Sequence, residues 1–357
     1  MAFFRRTGST AKAIRTDAAR SAEIDDYADS EIEADGPGFA LAVVARGTVV
    51  HAAGYGLAEL RSGRPVEPDT IFHLASCGKQ FTGLGVLMLA EEGKLHLDDP
   101  VGKYLPLLAG FGPRVTIRQL LHHTSGIRDL YDEGGVKAVL ARCARPANAD
   151  VIRTYAELGC PMAEAGIEPG DTYSYSNSGY ELLGAIIEQV SGQSYQDFFA
   201  GRVFDPLQMQ DTFSVPDRRI HDPRCATGYT LDDRDDFVAA GGNEFDNLVG
   251  SGSFYTTAFD LCRYEQALRT NSLISEASMA EAFTGSRTSD GDSTNYGFGW
   301  SLGVQNGISF ADHEGDWNGF HSYICYCFDP ALSIFVLSNH PELDLVEVGD
   351  VAIDAYR

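Results

Sequence analysis

Long apolar runs are missing from this sequence. No segment approaches the roughly 18 consecutive apolar residues of a membrane span, so membrane insertion is not expected. The first twenty residues, MAFFRRTGSTAKAIRTDAAR, hold arginines but no apolar core of the length a secretory leader needs, and no leader is expected there. Basic residues are scarce: 27 Lys and Arg stand against 51 Asp and Glu, a formal charge of −24, and no basic stripe offsets it. Nucleic acid and anionic membrane surfaces are therefore excluded as partners, and strongly acidic substrates are disfavoured. Cysteine is present, but its seven positions (77, 143, 160, 225, 262, 325 and 327) are odd in number and form no framework. Reduced thiols and a cytoplasmic location are expected. No HExxH pairing exists, His122-His123 reads as part of a structural turn, and SDGDSTN lacks the ligand spacing of a calcium loop. Neither a metal nor a cofactor is expected.

What is present is a chain of 357 residues, 44% hydrophobic, enough for a full core and two lobes. Residues 21 to 35 read as an acidic, solvated helix. FALAVVARGTVVHAAGYG is β-rich and breaks at Arg46-Gly47, which predicts a hairpin. QFTGLGVLMLAEEG is apolar on nearly every face up to Gly93, the pattern of a buried helix. YELLGAIIEQVSG has Leu182, Leu183, Ile186, Ile187 and Val190 at helical spacing and stops at Gly192. YGFGWSLGV, FHSYICYCFD and ALSIFVLSN read as strands, and VEVGDVAIDAYR as a closing helix. The prediction is an α/β plus α fold: a five-stranded antiparallel sheet flanked by helices, with an inserted, mostly helical lobe. The whole chain, 1–357, is expected to form one catalytic unit, its α/β lobe from about 20–75 and 255–357 and its helical lobe at about 76–254.

HLASCGKQFTG (73–83) places two nucleophile types side by side, with a lysine downstream. If the buried helix begins near Ser76, Lys79 shares its face, and Cys77 is turned about 100° away. A serine hydroxyl needs a base, and a desolvated lysine can serve; the helix N-terminus favours the developing alkoxide. Alone, a Ser-x-x-Lys match is weak. Two further stretches carry chemistry-bearing residues: Tyr175-Ser176-Asn177, before the amphipathic helix, and His313-Glu314-Gly315, before a predicted strand.

Ser-x-x-Lys, Tyr-x-Asn and His-x-Gly in this order resemble the penicillin-recognising serine hydrolases: class C β-lactamases, DD-peptidases, and the related D-aminopeptidases, esterases and transacylases. Connecting text such as LAEEGKLHLDDPVGKYLP, IRQLLHHTSGI and GSGSFYTTAFDLCRYEQAL agrees, and the resemblance runs from about residue 36 to 340. It implies a serine β-lactamase/penicillin-binding-protein-like fold and assigns roles. Ser76 would form an acyl-enzyme. Lys79 and Tyr175 would share the proton work, with phenolate character at Tyr175 supported by the nearby ammonium. Asn177 would orient Lys79 and the substrate amide, and the backbone N–H groups of Ser76 and Asp316 would form the oxyanion hole.

Departures from the pattern bear on substrate. The positions that bind a carboxylate in β-lactamases hold His313 and Glu314; Glu314 and Asp316 would repel a carboxylate and attract an amine, so little β-lactamase activity is expected. Gly78 replaces a hydroxyl residue usual in the family. Tyr173 and Tyr180 read as packing residues, and Cys325 and Cys327 as buried thiols on one sheet face; Trp317 and Phe320 fit either an acyl pocket or the core. The leading expectation is a serine hydrolase of a small amide, peptide or ester. The alternatives are an acyltransferase using the same Ser76 intermediate and a catalytically silent binding protein on this fold. Substrate and oligomeric state are unread.

Overall fold

The computed structural model describes residues 13–164 and 166–357, so the expectation about a leader falls largely on residues outside the described ones. Its main sheet contains Ile14–Arg15 (β1), Phe39–Ala45 (β2), Thr48–Tyr55 (β3), Ser301–Gln305 (β4), Ile308–Trp317 (β5), Phe320–Cys327 (β6) and Leu332–Ser338 (β7). The helices that matter below are Ala18–Glu31 (α1), Lys79–Glu91 (α2), Asn177–Ser191 (α3), Ala258–Arg269 (α4) and Leu345–Tyr356 (α5). The strand order is β1-β3-β2-β7-β6-β5-β4, antiparallel at every pairing.

β2 and β7 are apolar at nearly every position because they lie at the sheet centre, covered on both faces. Phe39, Leu41 and Val43 point into a core shared with Ile24 and Ala28 of α1 and Val348 and Ala352 of α5; Ala40, Ala42 and Val44 point into the core on the other side. The β2–β3 hairpin turns at Arg46 and Gly47, with φ of 49° and 74°, the left-handed pair that matches strand twist.

The antiparallel α/β class holds, but among the described residues the sheet has seven strands, not five. β1 is two residues long, too short to show alternation. β5 was hidden because its inward positions include His313 and Gly315 instead of apolar residues. His313-Glu314-Gly315 therefore lies inside a strand, not before one. The first helix also differs: it spans Ala18–Glu31, capped by Asp17, and buries Ile24 and Ala28, four apart on one face, against α5.

α2 is buried from Lys79 to Leu89. Phe81 anchors it against Phe254 and Tyr264, at ring-centroid distances of 5.0 and 4.4 Å, a burial that stabilises by up to about 3 kcal/mol. α3 packs on α2 and ends at Gly192, φ 72°, as its sequence pattern predicts. A small sheet of Phe72–His73, Phe254–Thr256 and Phe213–Ser214 ties the chain before α2 to the chain before α4. That pairing delivers residues 250–253 to the head of α2.

Candidate active site

Ser76 sits in a tight 3-10 turn, Ala75–Gly78, that runs directly into α2. Three residues per turn place positions i and i+3 one above the other. Lys79 is thus brought under Ser76 by the turn, one step earlier than the α-helix proper: Lys79 Nζ donates to Ser76 Oγ at 3.0 Å. The turn is strained, since Ala75 has φ 47° and is no glycine. It is held from both sides: His73 Nδ1 accepts the Ala75 N–H at 3.1 Å, and Ser322 Oγ donates to the Leu74 carbonyl at 2.7 Å.

Two glycines let other chain segments touch this turn. A Cβ at Gly315 would lie 2.8 Å from the Leu74 carbonyl and 2.9 Å from the Ser76 nitrogen; one at Gly252 would lie 2.6 Å from the Ala75 carbonyl. In β5, Gly315 pairs with Ser322, so the sheet edge presses on the Ser76 backbone at the one position without a side chain.

Lys79 has no exposed surface. Besides Ser76 it donates to Asn177 Oδ1 and to the Ser251 carbonyl, both at 2.7 Å. Burial pulls its amine down to about 7, against the charges of Glu181 and Asp129, which favour the ammonium. Asn177 opens α3, with Ser176 as the cap that accepts from Gly179 N at 3.1 Å. Tyr175 precedes that cap. Lys79 Nζ lies over the face of its ring, 4.8 Å from the centroid, and burial pushes the Tyr175 phenol up, only partly offset by a hydrogen bond with Ser76. Burial thus favours the neutral phenol over the expected phenolate, and it favours the neutral form of the Lys79 amine as well.

His313 is buried in β5. Its Nδ1 faces the Glu314 carbonyl at 2.5 Å and so donates, which leaves Nε2 to accept from Tyr296 OH at 2.9 Å. Burial lowers its pKa to about 3, so the ring is neutral. Glu314 and Asp316, the outward positions on either side of Gly315, are exposed. They line an open cleft of about 640 Å³ that includes Ser76, Tyr175 and His313. Glu342 and Asp344 line it too, and among the described residues no lysine or arginine does. A second pocket meets it at Ser76 and Asp316, walled by Tyr131, Asn177, Phe245, Asp246, Ser251 and Trp317.

The eight residues singled out in the sequence are therefore gathered around one cleft or directly beneath it. Others fall elsewhere. Cys77 is buried, and its thiol donates to the His313 carbonyl at 2.9 Å. Gly78 packs against Gly252 and Phe254, so its missing hydroxyl would not have faced substrate. Tyr180 is a packing residue, with its hydroxyl on the Leu121 carbonyl at 2.8 Å, but Tyr173 is 42% exposed and lines the cleft. Trp317 lines the second pocket, where its Nε1 donates to Asp246 at 3.0 Å, while Phe320 packs near His73. His122 and His123 are buried and bond the Tyr296 carbonyl and the Ser176 N–H. Cys325 and Cys327 are buried with sulfurs 3.8 Å apart, and all seven cysteines are free thiols. Ser251, Tyr131 and Glu181 escaped sequence reading; GSGS at 250–253 was the only visible signal for the first.

The model of the Beta-lactamase family matches residues 19–356. The chain belongs to that family. Among the members of this penicillin-recognising family, it is 34% identical over 310 residues to penicillin-binding protein 4* of Bacillus subtilis, covering 83% of this chain and 66% of that one. It is 29% identical to a D-aminopeptidase of Cereibacter sphaeroides, over 85% of this chain and 57% of the aminopeptidase. The chain thus spans less than two thirds of the length of these relatives. The octameric penicillin-binding protein homologue from Pyrococcus abyssi superposes with a TM-score of 0.82 at 26% identity, covering 93% of this chain and 76% of that one. Among the described residues, no helix is long and apolar enough to cross a membrane.

Proposed function

We propose that this member of the Beta-lactamase family is a serine hydrolase that cleaves a small amide, peptide or ester through a Ser76 acyl-enzyme. The observation that carries the reading is the Ser76–Lys79–Asn177 chain of hydrogen bonds around an amine that burial brings to about 7. Lys79 takes the Ser76 proton as Oγ attacks the acyl carbon. The protonated Tyr175 then donates to the leaving atom, and the N–H groups of Ser76 and Asp316 receive the oxyanion. The close approach of Gly315 to the Ser76 nitrogen supports that last role. In this reading residues 20–75 and 255–357 supply the sheet side of one catalytic unit and 76–254 the helical side.

The acidic cleft directs the substrate class. Glu314, Asp316, Glu342 and Asp344 favour a substrate with a free amine and oppose one with a carboxylate near the scissile bond, which agrees with the name of the aminopeptidase relative. The test is a panel of D-amino acid amides, p-nitrophenyl esters and a chromogenic cephalosporin, assayed with wild type and Ser76→Ala. Turnover of amides or esters, near silence on the cephalosporin and loss of activity in the variant are expected. A cephalosporin rate above the amide rate overturns the substrate reading, and an active Ser76→Ala overturns the mechanism. Adding an amine acceptor separates hydrolysis from acyl transfer: unchanged products sink the transferase.

A further inference from the structure

Asn177 stands in the first turn of α3, and Glu181 stands one turn later on the same face. The residues after it, Leu182, Leu183, Ile186 and Ile187, are buried and apolar, and Glu181 is as buried as they are, at 1% exposure. A carboxyl in such a place costs free energy that a leucine would not. Its Oε1 accepts from Tyr131 OH at 2.6 Å and from Ser251 Oγ at 3.3 Å. Its Oε2 has no hydrogen-bond partner among the described residues.

Ser251 joins this carboxyl to the site. Its hydroxyl donates to Glu181 and its carbonyl accepts from Lys79 Nζ. The other ionisable groups that face Glu181 are Tyr131, Asp129, Tyr155 and Lys79, from the loop before the site, the helix below it and α2. Lys79 is the cation of this set. Asp129 is tied to the start of α3, where it accepts from Ser178 Oγ at 2.6 Å and Ser178 N at 3.1 Å.

We propose that Glu181 is a positioning residue: a buried carboxyl that, through Ser251 and by its charge, stabilises Lys79 once that amine has taken the hydroxyl proton of Ser76. The proposal rests on the Ser76–Lys79 reading above. As the bond from Ser76 Oγ to the acyl carbon forms, the O–H bond breaks and the proton moves to Nζ. When the bond to the leaving nitrogen or oxygen breaks, a proton passes to that atom. Glu181 bonds to neither. Without it, the new ammonium would be held by the neutral acceptors Ser76, Asn177 and Ser251 in a position closed to water. Burial and Asp129 raise the Glu181 carboxyl above its ordinary range, while Tyr131, Lys79 and Ser251 draw it down, so the carboxylate is favoured wherever Lys79 carries its proton. Each charge of the Lys79–Glu181 pair thus favours the other.

The test follows fluorophosphonate labelling of Ser76 by intact mass, from about pH 5 to 9, in the full chain. Wild type should label faster as pH rises through a midpoint near the Lys79 value of about 7. In Glu181→Gln the amine loses its proton more readily: the midpoint should fall by about one pH unit, and the plateau rate should drop by about threefold to tenfold because the base is weaker. A midpoint that stays or rises in a folded variant, judged by circular dichroism and melting, overturns the proposal. If Glu181→Gln does not fold, Tyr131→Phe, which removes one donor to the carboxylate, should move the midpoint the same way by less; no movement there overturns it equally. Absence of labelling in wild type, or equal labelling of Ser76→Ala, removes the Ser76 reading itself and is seen independently of any midpoint.

Discussion

Lys79 Nζ lies 3.0 Å from Ser76 Oγ, and each remaining direction around the amine is filled by protein, with Asn177 and the Ser251 carbonyl as its other acceptors. An ammonium so enclosed is costly, which pulls the amine down to about 7 and suits it to the role of base in the proposed mechanism. Replacing the partner of this bond tests the site most directly. Ser76→Ala should keep the fold and lose at least about a thousandfold in kcat/KM on any amide or ester that wild type turns over. Residual activity within tenfold of wild type would place the chemistry elsewhere.

The pH profile follows from the same burial. Lys79 must be neutral to accept the proton, so kcat/KM should rise through about pH 7. Tyr175 is pushed up from the ordinary phenol range, so no falling limb from that group belongs below about pH 10. A profile flat from pH 5 to 9 would contradict the role of Lys79.

Cys77, the neighbour of the proposed nucleophile, is predicted to be silent. Its thiol is fully buried, donates to the His313 carbonyl and is pushed up to about 12 by desolvation. Cys77→Ala should lower stability by about 1 kcal/mol and change kcat/KM by less than about threefold. Inactivation of wild type by iodoacetamide that Cys77→Ala abolishes would reverse the assignment.

Gly315 is the point where β5 meets the nucleophile turn. An alanine there would bring Cβ to 2.5 Å from Ser322 Oγ and 2.9 Å from the Ser76 nitrogen, displacing the N–H assigned to the oxyanion. Gly315→Ala should cost about a hundredfold in kcat with a smaller change in KM, measured on a protein whose melting curve shows it folded.

Charge in the cleft should govern the substrate. Glu314→Gln removes one of four carboxylates around the opening. It should raise KM for amides with a free amine by about threefold to tenfold while leaving neutral esters within about twofold, an effect that salt weakens. Equal changes on both substrates would deny the cleft its preference for cations.

Much of this architecture is legible in the chain. The unbroken apolar runs of β2 and β7, the Arg46-Gly47 turn and the helix stop at Gly192 are local patterns, and local steric and solvation rules fix them. The three motifs in order pick out residues that the fold gathers around one cleft, and the three-residue spacing of Ser76 and Lys79 agrees with their contact. β5 was unreadable as a strand because its inward positions hold a histidine and a glycine that answer to the site and not to the core. Glu181 was unreadable for the opposite reason: it occupies a core position of an amphipathic helix, and its partners Tyr131 and Ser251 lie about 50 and 70 residues away along the chain. Only folding brings those groups together, and only folding excludes the water that would otherwise leave a lysine charged, a phenol unperturbed and a histidine free to titrate. The sequence by itself determined which groups are present and how nearby ones are spaced. The tertiary structure decided their protonation, because desolvation is a property of everything packed around a group and is written at no single position.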